Sequence, residues 1–308
     1  MIAGGHSNLT FLVTDANGRR LVLRRPPLAH GLASAHDMAR EHRIISALHR
    51  SAVPVPMTLG LCEDSDINGA PFYVMDYIAG HVLRDVVSAE QLLNEQSRAR
   101  ASESLADTLA AIHQVDLDAV GLSDLGRPED YLARQLRRWY GQWEQQRTRD
   151  LDLIDNVHHE LVANLPEQGP ATIVHGDYRL DNMLFDRSGD TSVVTVLDWQ
   201  TAAFSRGPND IAYGIGSGLL LNDRRSHESA LVERYWSGLD AAGVTCSFDD
   251  VRHDYRIGTV TGFVMAVIAS QVVTATERGD EMFAVMAERH AQQMIDNDVF
   301  TLAGGGSE

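Results

Sequence analysis

Over the first 78 residues short apolar runs alternate with polar turns, and beyond them the spacing of apolar positions becomes helical. Residues 11–14 and 21–23 are apolar runs joined through Asn17-Gly18, a dipeptide that readily supplies the positive φ angles of a tight hairpin. A helix is predicted from a cap at Ser34 to about His49, with Met38, Ile44, Ile45 and Leu48 on its inner face and Pro54 and Pro56 beyond its end. Two further strands, 57–62 and 71–77, flank a polar turn at Asn68-Gly69.

After Gly80, helical periodicity covers 89–113, 129–147 and 151–165. A β-branched island then predicts short strands at 171–174, 183–185 and 193–197, and helices resume from about Asp210 to Asp298. Gly304 to Gly306 read as a frayed end. One stretch, 257–275, is nearly uncharged and carries a Gly-x-x-x-Gly spacing at Gly258 and Gly262. Its Thr259, Thr261, Ser270, Gln271 and Thr274 favour a buried core helix over a membrane span. The pattern predicts an α+β protein of two lobes, residues 1–78 and 79–308. The first is a small antiparallel sheet with one helix, and the second is larger and mainly helical.

Composition narrows the chemistry. The chain has 308 residues, 44% of them hydrophobic, and a formal charge of −17, which disfavours nucleic acid and anionic membrane surfaces as partners. All 26 basic residues are arginine. The absence of lysine excludes a Walker A loop, a Schiff-base enzyme and a pyridoxal-phosphate enzyme, each of which needs a lysine amine. Any phosphate-pairing cation must then be a guanidinium. Two cysteines far apart in sequence, Cys62 and Cys246, predict no disulfide framework and a reducing, cytoplasmic setting. No signal-peptide pattern opens the chain, and the thirteen histidines form no zinc-binding spacing.

The sharpest signal lies in the strand island: His175-Gly-Asp177-Tyr-Arg179-Leu-Asp181-Asn182, then Val196-Leu-Asp198-Trp199. An Asp followed five positions later by Asn, with another Asp ending a later strand, is a phosphoryl-transfer pattern. A carboxylate takes the proton of the attacking hydroxyl, and hard oxygen ligands hold Mg²⁺ against nucleotide phosphates. Upstream, Gly4-Gly5-His6-Ser7-Asn8 stands where a phosphate-covering loop belongs. Arg24 ends the next strand and Glu41 lies on the following helix, the order in which kinases place the phosphate-pairing cation and its carboxylate partner.

On these motifs the chain resembles the aminoglycoside phosphotransferase-like small-molecule kinases, relatives of the choline kinases built on the protein-kinase fold. Within them it is most similar to the branch fused in some proteins to acyl-CoA dehydrogenases. The resemblance implies a two-lobed kinase-like fold that uses ATP and Mg²⁺. It makes Asp177 the base, Asn182 and Asp198 the metal ligands, and His175 a brace of the loop. Gly5, Ser7 and Asn8 would cover the phosphates, Arg24 would take the lysine position with Glu41 as partner, and Met75 would be the gatekeeper. The Asp76 carbonyl and Ile78 N–H would meet the adenine, and Asp210 would bond back to the catalytic loop. Arg179 has two readings, on the transferred phosphate or as a salt bridge bracing the loop. The chain opens three residues before Gly4, so most of the strand under the glycine loop is expected to be missing.

The implied partner is a small hydroxylated molecule, with no nucleic acid, membrane or obligate protein partner. The stretch 129–149 interleaves Arg134, Arg137, Arg138, Arg147 and Arg149 with Tyr131, Trp139, Tyr140 and Trp143. That mixture suits an anionic acceptor such as a hydroxyacyl-CoA better than a polycation. A true aminoglycoside-modifying enzyme and a nucleotide-binding pseudokinase are the alternatives.

Overall fold

The computed structural model describes residues 8–27, 37–126, isolated positions between 133 and 144, and 152–163, 171–186, 193–272 and 277–303. Strands β1 (Leu9–Thr14) and β2 (Arg20–Arg25) form the expected hairpin, with Leu9 opposite Arg25 and Thr14 opposite Arg20. Its turn is fixed chemically: Asp15 Oδ1 accepts from the N–H groups of Asn17 and Arg19, and Gly18 takes φ +82°. Strands β3 (Thr58–Cys62) and β4 (Phe72–Asp76) complete an antiparallel sheet in the order β1-β2-β4-β3.

Helix α1 (Met38–Leu48) buries Met38, Ile44, Ile45 and Leu48 as its periodicity predicts, and buries Glu41 with them. Its N-cap is Asp37, whose side chain accepts from the Arg40 N–H; the predicted cap Ser34 lies outside the described residues. The polar turn between β3 and β4 is a short helix, α2 (Ser65–Asn68), closed by Gly69 in the left-handed conformation.

The helix predicted over 89–113 is two helices, α3 (Val86–Leu92) and α4 (Glu95–His113). Asn94 breaks the run because its side chain accepts from the Ser97 N–H, which caps α4 and ends α3. Next come α5 (Leu117–Val120) and α6 (Asp152–Ala163), the latter inside the predicted 151–165.

Strand β5 (Thr172–Val174) pairs with β8 (Ala203–Ser205), a strand the sequence pattern does not suggest because it is only three residues long. Strands β6 (Met183–Asp186) and β7 (Val193–Val196) form a second antiparallel pair. Helices α7 (Pro208–Gly218), α8 (Leu221–Ala241), α9 (Phe248–Val272), α10 (Glu277–Asp296) and α11 (Val299–Ala303) follow.

One continuous core runs from Val22 and Ile44 through Val196 and Trp199 to Tyr235 and Leu239. Among the described residues no helix is long and apolar enough to cross a membrane. The two glycines of α9 instead admit neighbours. A Cβ on Gly258 would lie 3.1 Å from the Asn209 Cα, and one on Gly262 would lie 2.1 Å from the His290 ring.

His290 is completely buried, and burial pushes its imidazole down to about 4. A lowered folded-state value means the neutral ring stabilises the fold fully above about pH 6.5, and that contribution is lost as pH falls towards 4. In thermal denaturation of wild type and His290→Asn, the gap between midpoints should therefore narrow from pH 6.5 to pH 4. A gap that widens over that window would contradict the burial of a neutral ring.

Candidate active site

The pairing of β6 with β7 generates the centre of the site. Because the strands are antiparallel, the start of β6 lies beside the end of β7, and the Leu197 N–H donates to the Asn182 carbonyl at 2.8 Å. Asn182 and Asp198 thus leave adjacent ends of one ribbon. The Asn182 Nδ2 donates to the Asp177 carbonyl (3.0 Å) and to its Oδ2 (2.9 Å), which leaves the Asn182 Oδ1 as the acceptor face of that amide. Asp198 holds φ +63°, a left-handed conformation that costs a non-glycine residue free energy and collects at functional sites. Two oxygen donors of this kind, a carboxylate and an amide carbonyl, suit a hard cation such as Mg²⁺ rather than a soft one.

The loop carrying Asp177 is held from below. Asp210, in the first turn of α7, accepts from the His175 N–H at 2.6 Å and the Gly176 N–H at 3.0 Å. Gly176 takes φ +82°, and a Cβ there would lie 2.7 Å from the Thr201 carbonyl oxygen, so glycine is required on both counts. His175 is fully buried. Its Nε2–H donates to the Leu197 carbonyl at 2.8 Å, and its Nδ1 accepts from the Asp177 N–H at 3.3 Å, a consistent single tautomer. Arg179 Nε lies 3.2 Å from Asp177 Oδ1 and its NH1 3.8 Å from Asp181 Oδ2, the geometry of a loop-bracing cation.

A second cluster faces this one. Arg24 is buried, with Nε 3.2 Å from Glu41 Oε2, NH2 2.6 Å from Asp198 Oδ1 and NH1 3.3 Å from Thr10 Oγ1. Burial alone would lower its basicity, but Glu41 and Asp198 together raise it. Burial pushes the Glu41 carboxyl up to about 7; Arg24 opposes that rise and Asp198 reinforces it. Arg24 NH2 and Asp198 Oδ1 are in ionic contact without hydrogen-bond alignment, so each keeps directed capacity for another partner.

Around the edge, the Asn8 Nδ2 donates to Gln200 Oε1 at 3.1 Å, which fixes the base of the predicted phosphate loop next to the segment after Asp198. Gly5 and Ser7 lie outside the described residues. Met75 is buried opposite Val22, Asp76 pairs in register with Leu21 and is salt-bridged to Arg19, and Ile78 is half-buried just past β4. Tyr73, two residues before Met75 and opposite Arg24 in register, is buried, and burial and the neighbouring Glu41 carboxylate hold its phenol well above the ordinary value.

The family model "Phosphotransferase enzyme family" (APH) matches residues 1–238. The chain belongs to the APH phosphotransferase family. Mouse acyl-CoA dehydrogenase family member 10 is 38% identical over 209 residues, covering 68% of this chain; the chain spans only 19% of that relative's length. A Ralstonia eutropha structure assigned as an aminoglycoside phosphotransferase superposes with TM-score 0.67 at 25% identity, over 96% of this chain and 90% of the other. Plasmodium vivax ethanolamine kinase gives TM-score 0.61 at 12% identity, over 96% and 81%, a likeness of fold alone. The chain thus shares the kinase-like fold of these phosphotransferase structures.

Two features of this APH site escape the motif reading. Tyr213 donates its phenol O–H to Asp177 Oδ1 at 2.9 Å. The signal was present in the i, i+3 spacing from Asp210, which puts both on one face of α7. Arg40 reaches the Gln200 and Ala202 carbonyls, and Arg43, one turn later, reaches the Gly121 carbonyl and Asp124, so α1 is tied to the second lobe at two points.

Removing Arg24 should expose how much the buried triad depends on it. Arg24→Met leaves Glu41 an unpaired buried carboxylate and should cost about 3–5 kcal/mol in urea denaturation. Adding Glu41→Gln should recover a large part of that loss. A small loss, or one that Glu41→Gln leaves unchanged, would contradict the pairing.

Proposed function

We propose that the chain transfers the γ-phosphoryl group of ATP to a hydroxyl of a small acceptor, with Asp177 as the base that takes the hydroxyl proton. The observation that carries this reading is the Asp177–Asn182 hydrogen bond beside the end of β7, which supports one centre for base and metal. Asn182 Oδ1 and the Asp198 carboxylate would hold Mg²⁺, which supplies neutralisation of charge on the phosphate oxygens. Arg24 would offer a guanidinium to the phosphates while Glu41 keeps it in place, and the loop of Gly5, Ser7 and Asn8 would cover them. Met75, Asp76 and Ile78 would meet the adenine at the end of β4. His175 holds the loop in shape without touching the reactants, and Arg179 braces Asp177 from its own loop. The first lobe would bind the nucleotide and the second the acceptor, with the boundary near residue 78.

For the acceptor we favour a hydroxyl flanked by apolar surface and carried on an anionic group, such as a hydroxyacyl-CoA. The relatives named as acyl-CoA dehydrogenases support that chemistry. So does the wall next to Asp177. Arg179 NH1 lies 3.6 Å from Met282 Sδ, and half-buried Met265, Met282 and Phe283 pack against the cluster of Tyr213, Ala266 and Met286. Most of the arginine- and aromatic-rich stretch 129–149 lies outside the described residues. Within it, Arg137 is exposed, whereas Tyr140 is engaged by α6, hydrogen-bonded to Asp155 and stacked on His158 at 3.9 Å. Aminoglycoside modification is the second reading, supported by the Ralstonia neighbour; a polycation would need carboxylates around the acceptor.

The test is to incubate wild type and Asp177→Asn with Mg²⁺·ATP and a pool of hydroxyacyl-CoAs, hydroxylated metabolites and aminoglycosides, and to look by mass spectrometry for phosphate addition. Asp177→Asn should lose roughly 100-fold or more of the transfer rate, in line with general-base catalysis. Its affinity for ATP should stay near wild type. Full activity in Asp177→Asn would overturn the base assignment, and phosphate on the aminoglycosides alone would select the second reading.

A further inference from the structure

Tyr213 belongs to none of the motifs, yet its side chain hydrogen-bonds Asp177 from outside the 175–182 loop. The two oxygens of Asp177 are fixed from different elements. Asn182, in its own loop, donates to Oδ2 at 2.9 Å, and Tyr213, on α7, donates to Oδ1 at 2.9 Å. One aligned hydrogen bond to each oxygen, beside the ionic contact of Arg179 Nε with Oδ1 at 3.2 Å, sets the plane of the carboxylate and leaves further lone pairs for an incoming hydroxyl.

The phenol is itself held firmly. Its ring stacks on the His290 imidazole, centroids 5.5 Å apart and planes 10° from parallel. That imidazole fits only because Gly216 and Gly262 lack side chains: a Cβ on either would lie within 2.4 Å of its ring. His290 Nδ1–H donates to Gln293 Oε1 at 3.1 Å, and Gln293 Nε2 donates to the Ala212 carbonyl at 3.1 Å and to the Tyr255 hydroxyl at 2.8 Å. Helices α7, α9 and α10 thus close around the ring whose hydroxyl meets Asp177. A tyrosine needed only for packing would require none of this aim, since its ring already fills the space.

We infer that Tyr213 is a positioning residue for phosphoryl transfer: its O–H holds Asp177 in the rotamer from which the carboxylate meets the acceptor hydroxyl. The inference rests on the reading of Asp177 as the base. A fixed base matters here because phosphoryl transfer depends mainly on placement, and a carboxylate free to rotate spends little time aimed at the nucleophile.

Tyr213→Phe keeps the ring and its stack and deletes only the donor. The kinetic probe is Mg²⁺·ATP with water as acceptor, and the structural probe is the Asp177 rotamer in crystals of the variant. Tyr213→Phe should lower kcat roughly 10- to 100-fold, the scale of losing one preorganised hydrogen bond. KM for ATP and the melting midpoint should be unchanged, and Asp177 should leave its wild-type rotamer. Placing 4-aminophenylalanine at 213, which restores an N–H donor, should recover both rate and rotamer. An unchanged Asp177 rotamer in Tyr213→Phe overturns the inference, as does a loss of rate that 4-aminophenylalanine fails to repair. Asp177→Asn is run alongside. Wild-type turnover in that variant would defeat the base reading, and the rotamer in Tyr213→Phe would still decide whether Tyr213 positions Asp177.

Discussion

A buried carboxylate underlies the arrangement of this site. Asp210 accepts two consecutive backbone N–H groups, from His175 and Gly176, that the tight turn into the Asp177 loop leaves without strand partners. Its remaining capacity faces His113, 3.4 Å away, whose other ring nitrogen meets the Tyr235 hydroxyl at 2.8 Å. A charge-assisted bond to each amide in a dry interior is strong, and an unmet amide there would be costly. The loop shape follows from this contact: with His175 and Gly176 pinned, Asp177 follows directly and Asn182 falls just before β6. The helix that supplies Asp210 also supplies Tyr213, so anchoring the loop backbone and orienting its key side chain are one structural event.

Beside Asp198, Arg24 does what a lysine could not. Its three nitrogens reach Glu41, Asp198 and Thr10 at once, on three different segments, whereas an ammonium is a single point of charge. In a chain without lysine this fork ties the sheet of the first lobe to α1 and to the segment after β7. Arg40 and Arg43 reinforce the tie from α1. The contact with Asp198 also means that a metal held there, as proposed, would share that carboxylate with the Arg24 guanidinium.

How much of this was legible in the sequence depended on the range of the interaction. The hairpin at Asn17-Gly18, the inner face of α1 and the ribbon of β6 and β7 follow from local period and turn chemistry. The placement of Asp177 near Asn182 follows from their spacing in one loop. The break at Asn94 was hidden because helical periodicity continues across it, and only a side chain that caps its own backbone reveals the stop. Strand β8 was hidden because its three residues acquire order only by pairing with β5. Tyr213, Tyr73 and the Arg40 clamp were hidden for a related reason: each acts across a tertiary contact between segments far apart in sequence. The stretch holding Gly258 and Gly262 read as a buried core helix, and the fold identifies what approaches those glycines as Asn209 and the His290 ring.

The most direct measurement of the central claim needs no knowledge of the acceptor. Crystals grown with Mn²⁺ and a non-hydrolysable ATP analogue would locate the metal by its anomalous signal. The peak should be bounded by Asn182 Oδ1 and the Asp198 carboxylate, against the nucleotide phosphates and facing Asp177. A bound nucleotide with its metal elsewhere, and Arg24 still occupying Asp198, would contradict it.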